Sequence, residues 1–405
     1  MSFLLACVAG VVIYGTIRLL HLASSSSAPE LKYKDGSFFA SQILKMCSIL
    51  SKPYIPTKVW GKSGHLQTIV YGKLGRIKSP FPKGKRHFIK LEDGATLTYD
   101  VFEPISPHLR GDYTIVISPG IANSSETAYI CTFVHYAQDN GYRVVVQNHL
   151  GAVLSIELTS SRMFTYGHTD ELKIIVEDIE KLYPDSQFLA VGFSMGGNIV
   201  TKYLGEDNGH QHKFICGMSI CQGYDIQKAF PLLLEWSHLR RMYVYFMTSY
   251  QKFLLRHHYH TVLSEDVKSK HKLEEDKIFA STSLAELDQS YTIKRWGYKS
   301  LDEYYKACSS CNYINNITIP MFLLNARDDP LVPQPLLKCA TQYAESHENC
   351  ILMITKHGGH LGFFEGGYIT PDTITWLDRA IIEFANAAVT ITQAKKNLMN
   401  GVQIS

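Results

Sequence analysis

The sequence predicts an α/β fold in which helices cover both faces of a mostly parallel sheet. The observation that leads to this prediction is that strand-like runs alternate with amphipathic segments. Two further observations complete the architecture: a strand-free interval at 225–319 predicts an inserted helical cap, and an apolar N-terminal segment predicts a membrane anchor. A chain of 405 residues, 45% hydrophobic and 19% charged, can bury one large core that carries insertions.

Eight strand-like runs form the predicted core. They are short, apolar and bounded by turns, and they lie at 87–91, 96–102, 114–118, 142–147, 188–191, 214–220, 321–325 and 351–355. Helical segments separate most of the later runs, which is the pattern of parallel strands joined by helices. The first two runs flank a turn at Asp93 and Gly94, so we expect an antiparallel edge there.

The strand-free interval at 225–319 is helical and rich in aromatic residues, so we predict a cap inserted into the core. The core itself is then made of 86–224 and 320–390. Near its end, Ile374, Leu377, Ile381 and Phe384 recur at helical spacing, and Pro371 with Asp372 is expected to open that helix. Residues 391–405 are predicted to form a polar tail.

The apolar segment at 3–22 has about the 20 residues that a membrane-spanning helix needs. Arg18 and His21 lie near its end, where long side chains can reach the membrane surface. A cleaved signal peptide is the alternative, because small residues follow, but the basic start of such a peptide is missing. We predict a transmembrane signal-anchor at 1–25 and, after it, an arm at 26–85 punctuated by Pro and Gly.

The orientation of this anchor is left open by the residues themselves. Basic residues that follow the segment favour a main domain on the cytoplasmic side. Two N-glycosylation sequons, which begin at Asn123 and Asn316, favour the opposite side.

Charge and cysteine usage exclude several classes of partner. The net charge is only +3 and the basic residues are scattered, so nucleic acid is not expected to bind. Cys308 and Cys311 lack a second pair at zinc spacing, and His257, His258 and His260 lack a carboxylate at regular spacing. We therefore expect no metal and no cofactor, and the nine cysteines predict no disulfide framework.

A pentapeptide at 192–196 has the form GxSxG, with Ser194 at its centre. The motif alone is weak, because Gly and Ser are common residues. Its context is informative, because a buried strand enters it and a helix at 198–204 leaves it. This strand–turn–helix elbow holds the serine hydroxyl outside the sheet, as in the α/β hydrolases.

A serine hydroxyl is a poor nucleophile unless a histidine removes its proton and a carboxylate orients that histidine. Asp328 and Asp329 follow one strand, and His357 and His360 follow the last strand, so the order Ser, Asp, His is that of the α/β hydrolases. Each place offers two candidates. We predict Asp329, because a rigid turn with prolines follows it, and His360, because two glycines can carry it to the serine.

Ester cleavage also needs hydrogen-bond donors for the oxyanion of its tetrahedral intermediate. The backbone N–H of Met195 directly follows the serine and is the first candidate. The N–H of Ile121 is the second, because it lies in the loop after the strand at 114–118. Gly120 permits this loop to be tight.

Longer strings resemble one known family along almost the whole chain. They are WGKSGHLQT at 60–68, PGIAN at 119–123, NHLGA at 148–152, MFTYG at 163–167, GFSMGGNIV at 192–200, DDPLV at 328–332 and HGGHLGFFEG at 357–366. The chain resembles the α/β-hydrolase-domain-containing proteins of the 1, 2 and 3 group, and their second subfamily in particular. By position, the resemblance supports Ser194, Asp329 and His360.

The resemblance implies a single-pass type II membrane protein of the cell membrane or an endomembrane, which makes Asn123 a glycan site. It implies a monoacylglycerol lipase that acts on lipids such as 2-arachidonoylglycerol, with activity on acetyl esters and triacylglycerols. It also implies a steroid as regulator. Phospholipid is the weaker substrate prediction, because no Arg or Lys cluster accompanies the loops at Gly120, Ser194 or His360.

Two alternatives to a hydrolase remain open. A lipid or steroid receptor could use the same pocket without chemistry, although an intact triad argues against it. An acyltransferase could use the same triad if the pocket excludes water. The HxxxxD motif of the subfamily is one residue short in this chain, at 108–112, which puts acyl transfer through that motif in doubt.

Overall fold

A computed structural model describes residues 2–74, 81–236 and 239–399. Within these residues, nine strands form one sheet in the order β1-β9-β8-β7-β6-β4-β5-β3-β2. The strands are β1 Glu30–Lys32, β2 Lys85–Lys90, β3 Thr96–Phe102, β4 Tyr113–Ser118, β5 Arg143–Asn148, β6 Gln187–Phe193, β7 Phe214–Ile220, β8 Met321–Ala326 and β9 Cys350–Thr355. The six strands from β9 to β5 are parallel, and antiparallel strands close both edges.

Some of the α-helices cover both faces of the sheet, and the others form the N-terminal segment or lie between β7 and β8. The helices are α1 Ser2–Leu19, α2 Phe38–Met46, α3 Gly64–Leu74, α4 Ala128–Asp139, α5 Asp170–Leu182, α6 Met195–Glu206, α7 Ile226–Leu233, α8 Arg240–His257, α9 Tyr259–Val262, α10 Glu265–His271, α11 Glu275–Ala280, α12 Leu284–Leu287, α13 Ile293–Trp296, α14 Leu301–Cys308, α15 Lys338–Ser346 and α16 Trp376–Met399. Phe39, Phe133 and Phe384 belong to the apolar layer on one face, and Val200 and Tyr343 belong to the other. Strands β4, β7, β8 and β9 are buried throughout for this reason.

The interval between β7 and β8 contains α7 to α14 and lies where the cap was predicted. Its helices have small apolar clusters of their own, one around Leu254 and Ile278 and another around Phe230 and Tyr305. The first cluster also contains Met163 of the core, so the cap is packed against the core.

The arm at 26–85 contains more regular structure than the sequence predicts. Strand β1 pairs antiparallel with β9, with Leu31 opposite Met353, and α2 begins where the Ser37 hydroxyl accepts the Ala40 N–H at 2.9 Å. A strand of three residues gives too little alternation to be recognised in a sequence. Residues 75–80 of the arm lie outside the described residues.

The final helix begins and ends later than predicted. It starts at Trp376 because Thr375 caps it: the Thr375 hydroxyl donates to Asp378 at 2.9 Å and accepts the Asp378 N–H at 3.3 Å. The helix continues to Met399, so the predicted tail at 391–405 is helical over its described part. Residues 400–405 lie outside the described residues.

The N-terminal segment is helical as α1, and Val11, Ile13 and Tyr14 on it are exposed. In the described part of the chain, however, none of the helices combines the length and the apolar character that crossing a membrane requires. The structure therefore does not confirm the predicted transmembrane span.

Candidate active site

Ser194 lies at a sharp turn between β6 and α6. Its backbone has φ 54° and ψ −118°, a strained conformation for a residue with a side chain, and its N–H donates to the Ile220 carbonyl at 2.8 Å. The neighbouring glycines permit this turn: a Cβ on Gly196 would lie 1.9 Å from the Ser118 carbonyl oxygen, and one on Gly192 would lie 2.2 Å from the Gly196 oxygen. The turn leaves the Ser194 hydroxyl partly exposed beyond the sheet.

A chain of hydrogen bonds connects Ser194, His360 and Asp329. The His360 Nε2 atom lies 2.8 Å from the Ser194 Oγ, and its Nδ1 atom lies 2.8 Å from the Asp329 Oδ2. The second carboxylate oxygen of Asp329 accepts the N–H groups of Leu331 and Val332, at 2.7 and 3.1 Å. These bonds fix the carboxylate in the turn after β8, so it can orient the imidazole.

The rival candidates Asp328 and His357 form a separate pair, outside the hydrogen-bonded series of Ser194, His360 and Asp329. The His357 Nδ1 atom lies 3.5 Å from the Asp328 Oδ2, and Asp328 Oδ1 accepts the Gly359 N–H at 2.8 Å. Burial raises the pKa of Asp328. Asp328 thus binds the backbone of the loop that carries His360, whereas Asp329 binds the His360 imidazole. The structure brings together Ser194, Asp329 and His360, the residues that the sequence predicts.

Helix α3 of the arm also holds the His360 loop, a role that the sequence does not reveal. The Thr68 hydroxyl accepts the His360 N–H at 2.9 Å and donates to the Gly64 carbonyl at 2.7 Å. Gln67 accepts the Phe364 N–H at 2.9 Å, while its amide donates to Tyr54. The signal in the sequence is that Gln67 and Thr68 belong to the string WGKSGHLQT at 60–68, one of those that carry the family resemblance.

The two predicted oxyanion donors lie beside the serine. Ile121 and Met195 line the same cavity as Ser194 and His360. Among the described residues, neither backbone N–H donates a hydrogen bond within the chain, so both are free to bind an oxyanion.

His149, which we did not predict as a site residue, braces the loop that carries Ile121. Burial lowers the pKa of His149 to about 4, so its imidazole is neutral near pH 7 and can donate to the Pro119 carbonyl, 3.0 Å away. On the other side of the loop, the Tyr129 hydroxyl accepts the Gly120 N–H at 2.9 Å. A loop held at both sides keeps its N–H groups in place for catalysis.

A narrow, partly open cavity with mainly apolar walls lies in front of Ser194. Phe230, Leu233 and Met247 line it from the cap, and Leu331 and Leu336 line it from the core. Apolar side chains of this kind exclude water from the cavity and favour the binding of an apolar group.

The remaining sites considered in the sequence lie elsewhere. The described part of the chain holds no group of three His, Cys, Asp or Glu side chains arranged for a metal ion. Burial raises the pKa of Cys308 to about 12, so its thiol stays protonated. His108 packs on the rings of Tyr113 and Tyr142, where the strands β4 and β5 begin, at the end of the sheet away from Ser194.

Asn123, the predicted glycan site, lies two residues after Ile121 and is half-buried. The third residue of its sequon, Ser125, is buried, and its hydroxyl donates to Asp100 at 2.6 Å. Glycan attachment at Asn123 stays a prediction.

Comparisons with known proteins agree with this geometry. Residues 113–367 match the family model described as alpha/beta hydrolase fold. The chain is 47% identical over 387 residues to the monoacylglycerol lipase ABHD2 of Mus musculus, covering 95% of this chain and 91% of that protein. It is 43% identical to the abhydrolase domain-containing protein 2 of Drosophila melanogaster, covering 95% and 97%, and 28% identical to the phospholipase ABHD3 of Mus musculus, covering 91% and 86%. The chain therefore belongs to the α/β-hydrolase family, in the group that contains these ABHD2 proteins.

Proposed function

We propose that this chain is a serine hydrolase that cleaves monoacylglycerol to a fatty acid and glycerol through an acyl-enzyme on Ser194. The observation that carries the proposal is the unbroken chain from Asp329 through His360 to the Ser194 hydroxyl, which opens into an apolar cavity. The names of the ABHD2 relatives support the same substrate.

The reaction follows from the positions of these groups. The Ser194 Oγ attacks the ester carbonyl while His360 takes the hydroxyl proton. The Asp329 carboxylate stabilises the imidazolium that forms. The oxyanion is bound by the N–H groups of Ile121 and Met195, each worth a hundredfold or more in rate by order of magnitude. His360 then protonates the leaving glycerol, and water that His360 activates releases the fatty acid.

The substrate preference follows from the cavity wall. One long acyl chain gains about 0.8 kcal/mol for each CH₂ that it buries there. Glycerol is small and neutral, so it needs no cationic partner in the site. We expect activity on short acetyl esters as well, because they bind beside Ser194 without filling the cavity, and lower activity on triacylglycerols. A steroid regulator stays a prediction.

The test is hydrolysis of an acylglycerol panel by the purified protein and by Ser194→Ala. The variant should keep its fold and lose about 10⁴-fold or more in kcat. A panel in which phospholipid is cleaved faster than monoacylglycerol would overturn the substrate, and retained turnover by the variant would overturn the nucleophile.

The same panel separates the two alternative functions. A receptor would bind lipid without turnover by the wild-type protein. An acyltransferase would form a new ester when an alcohol is added, in preference to free fatty acid. The segment at 108–112 does not support acyl transfer, because Asp112 pairs with Arg143 and the half-exposed His108 packs on Tyr142, at the end of the sheet away from Ser194.

We further propose that α1 tethers the enzyme to the cell membrane or an endomembrane as a type II protein, with a glycan at Asn123. The support is that Val11, Ile13 and Tyr14 of α1 are exposed and apolar. Deleting residues 1–25 should lower hydrolysis of monoacylglycerol in vesicles about tenfold and spare a soluble acetyl ester. If both activities fall equally, the segment is part of the folded core, and treatment with a glycosidase tests the glycan separately.

A further inference from the structure

Helix α8 of the cap has a second apolar face that the described residues leave exposed. Met242, Tyr245, Phe246, Tyr250 and Phe253 recur at helical spacing and are exposed, Tyr245 by 50% and Phe246 by 56%. We call these five residues the α8 outer face. Together they leave on the order of 400 Å² of apolar surface in water, as large as the biggest patch on a typical monomer.

The opposite face of α8 explains why the helix forms but not why its outer side is apolar. Val244, Leu254 and Leu255 are buried in the cap, and Met247 lines the cavity in front of Ser194. A surface helix with one partner needs only one apolar stripe and normally shows charged residues on the other side. Packing within the described chain therefore does not explain the apolar outer face.

The composition of α8 indicates what kind of partner the outer face contacts. Between residues 240 and 257 there is no Asp or Glu, and the exposed charged residues are Arg241 and Arg256, whereas Arg240 is buried against Glu235. Just before the helix, Trp236 is 82% exposed, and the guanidinium of Arg241 lies 4.3 Å from the centre of its ring. Exposed Trp, Tyr and Phe with basic neighbours are typical of a helix that lies in the membrane interface, where rings enter the acyl boundary and cations meet the phosphates of the lipid headgroups.

The position of α8 relative to α1 agrees with a membrane on this side. Tyr243 of α8 stacks on His65 of α3 and hydrogen-bonds to it at 3.0 Å. The chain that leaves α1 passes the same edge of the sheet, where Ser24 contacts His357 at 3.1 Å. The end of α1, the His360 loop and α8 thus all lie at the edge where the parallel strands end.

We propose that the α8 outer face docks into the interface of a lipid bilayer and brings the mouth of the Ser194 cavity to the membrane. This inference rests on the proposed function for its substrate, because monoacylglycerol can then pass from the bilayer under α8 without crossing water. It assigns α8 a role distinct from that of α1: α1 tethers, and α8 orients the catalytic domain.

The test compares two double variants of the full chain. Phe246→Glu with Phe253→Glu places charges on the outer face. Phe88→Glu with Leu109→Glu is the matched control, because Phe88 and Leu109 are apolar residues away from the cap that are more exposed than Phe246 and Phe253. Each protein is assayed on monooleoylglycerol in vesicles of phosphatidylcholine and phosphatidylserine, and on soluble p-nitrophenyl acetate.

We expect the outer-face variant to lose about tenfold in kcat/KM on the vesicles and less than twofold on the soluble ester, while the control variant loses neither. Phe246→Trp supplies a measurement that does not depend on activity: brominated lipids should quench the added fluorescence, and they should not quench that of Phe88→Trp. Equal quenching at both positions would contradict the inference, as would an outer-face variant that keeps full activity on vesicles.

Two further outcomes separate this inference from its rivals. Light scattering that shows a dimer of the wild-type chain, dissociated by the Glu substitutions, would assign the face to a second copy and overturn the proposal. Quenching at 246 in a protein that does not cleave monooleoylglycerol would leave the docking surface standing and overturn the proposed function alone.

Discussion

Asp328 and Asp329 are neighbours in the chain but make different contacts. Asp329 bonds to the imidazole of His360, whereas Asp328 bonds to the Gly359 N–H and contacts His357. Asp329→Asn should therefore lower kcat by about 10³-fold or more, because an amide cannot stabilise the imidazolium. Asp328→Asn keeps an acceptor for Gly359 and should cost less than about tenfold.

The two histidines should show the same ranking. His360→Ala removes the base and should lower kcat about as much as Ser194→Ala, while His357→Ala should retain most activity. Steady-state kinetics on monooleoylglycerol measure all four variants. The reverse ranking, with Asp328 and His357 essential, would assign the acid and the base of the triad to Asp328 and His357 in place of Asp329 and His360.

At the residue scale, the sequence predicts the residues that react but not the residues whose hydrogen bonds hold the catalytic loops in place. Ser194, Asp329 and His360 follow from the order of motifs and from prolines and glycines beside them, which are local signals. Thr68 and His149 act on loops that are distant in sequence, and a single sequence holds no signal of such long-range hydrogen bonds.

At the scale of elements, helix α3 is expected to matter for catalysis although it carries no reacting group. Thr68→Val removes the acceptor of the buried His360 N–H, which costs about 1–3 kcal/mol for an unsatisfied group and loosens the loop. We expect kcat to fall about tenfold with KM little changed.

Thr68→Ser is the matched control, since it keeps the hydroxyl and should restore kcat. Thermal unfolding of both variants separates the effect on the loop from general loss of stability. If Thr68→Ser is as impaired as Thr68→Val, the methyl group matters and the hydrogen bond to His360 does not.

The elements that the sequence predicts well are those with strong burial patterns. The predicted run at 214–220 coincides with β7, and the run at 96–102 coincides with β3. Strand β1 was missed because three half-buried residues carry no pattern, and its pairing with β9 is decided by tertiary contact. The start of α16 was placed too early because the capping pair of Thr375 and Asp378 outweighs the turn at Pro371.

At the scale of the whole molecule, the catalytic residues, the cavity and the α8 outer face lie at the end of the sheet where the parallel strands finish. The elbow at Ser194 and the loops that carry Asp329 and His360 all follow the ends of parallel strands. The cap covers this edge with an apolar cavity inside and the α8 outer face outside. A lipid substrate held in a membrane would therefore reach the serine along apolar surface.

The most direct test of the central claim is covalent labelling with a fluorophosphonate, followed by mapping of the labelled peptide. The account predicts a label on Ser194, slowed by monooleoylglycerol and nearly lost in His360→Ala, because only a serine activated by a base reacts readily. A label on a different serine, or undiminished labelling of Ser194 in His360→Ala, would contradict it.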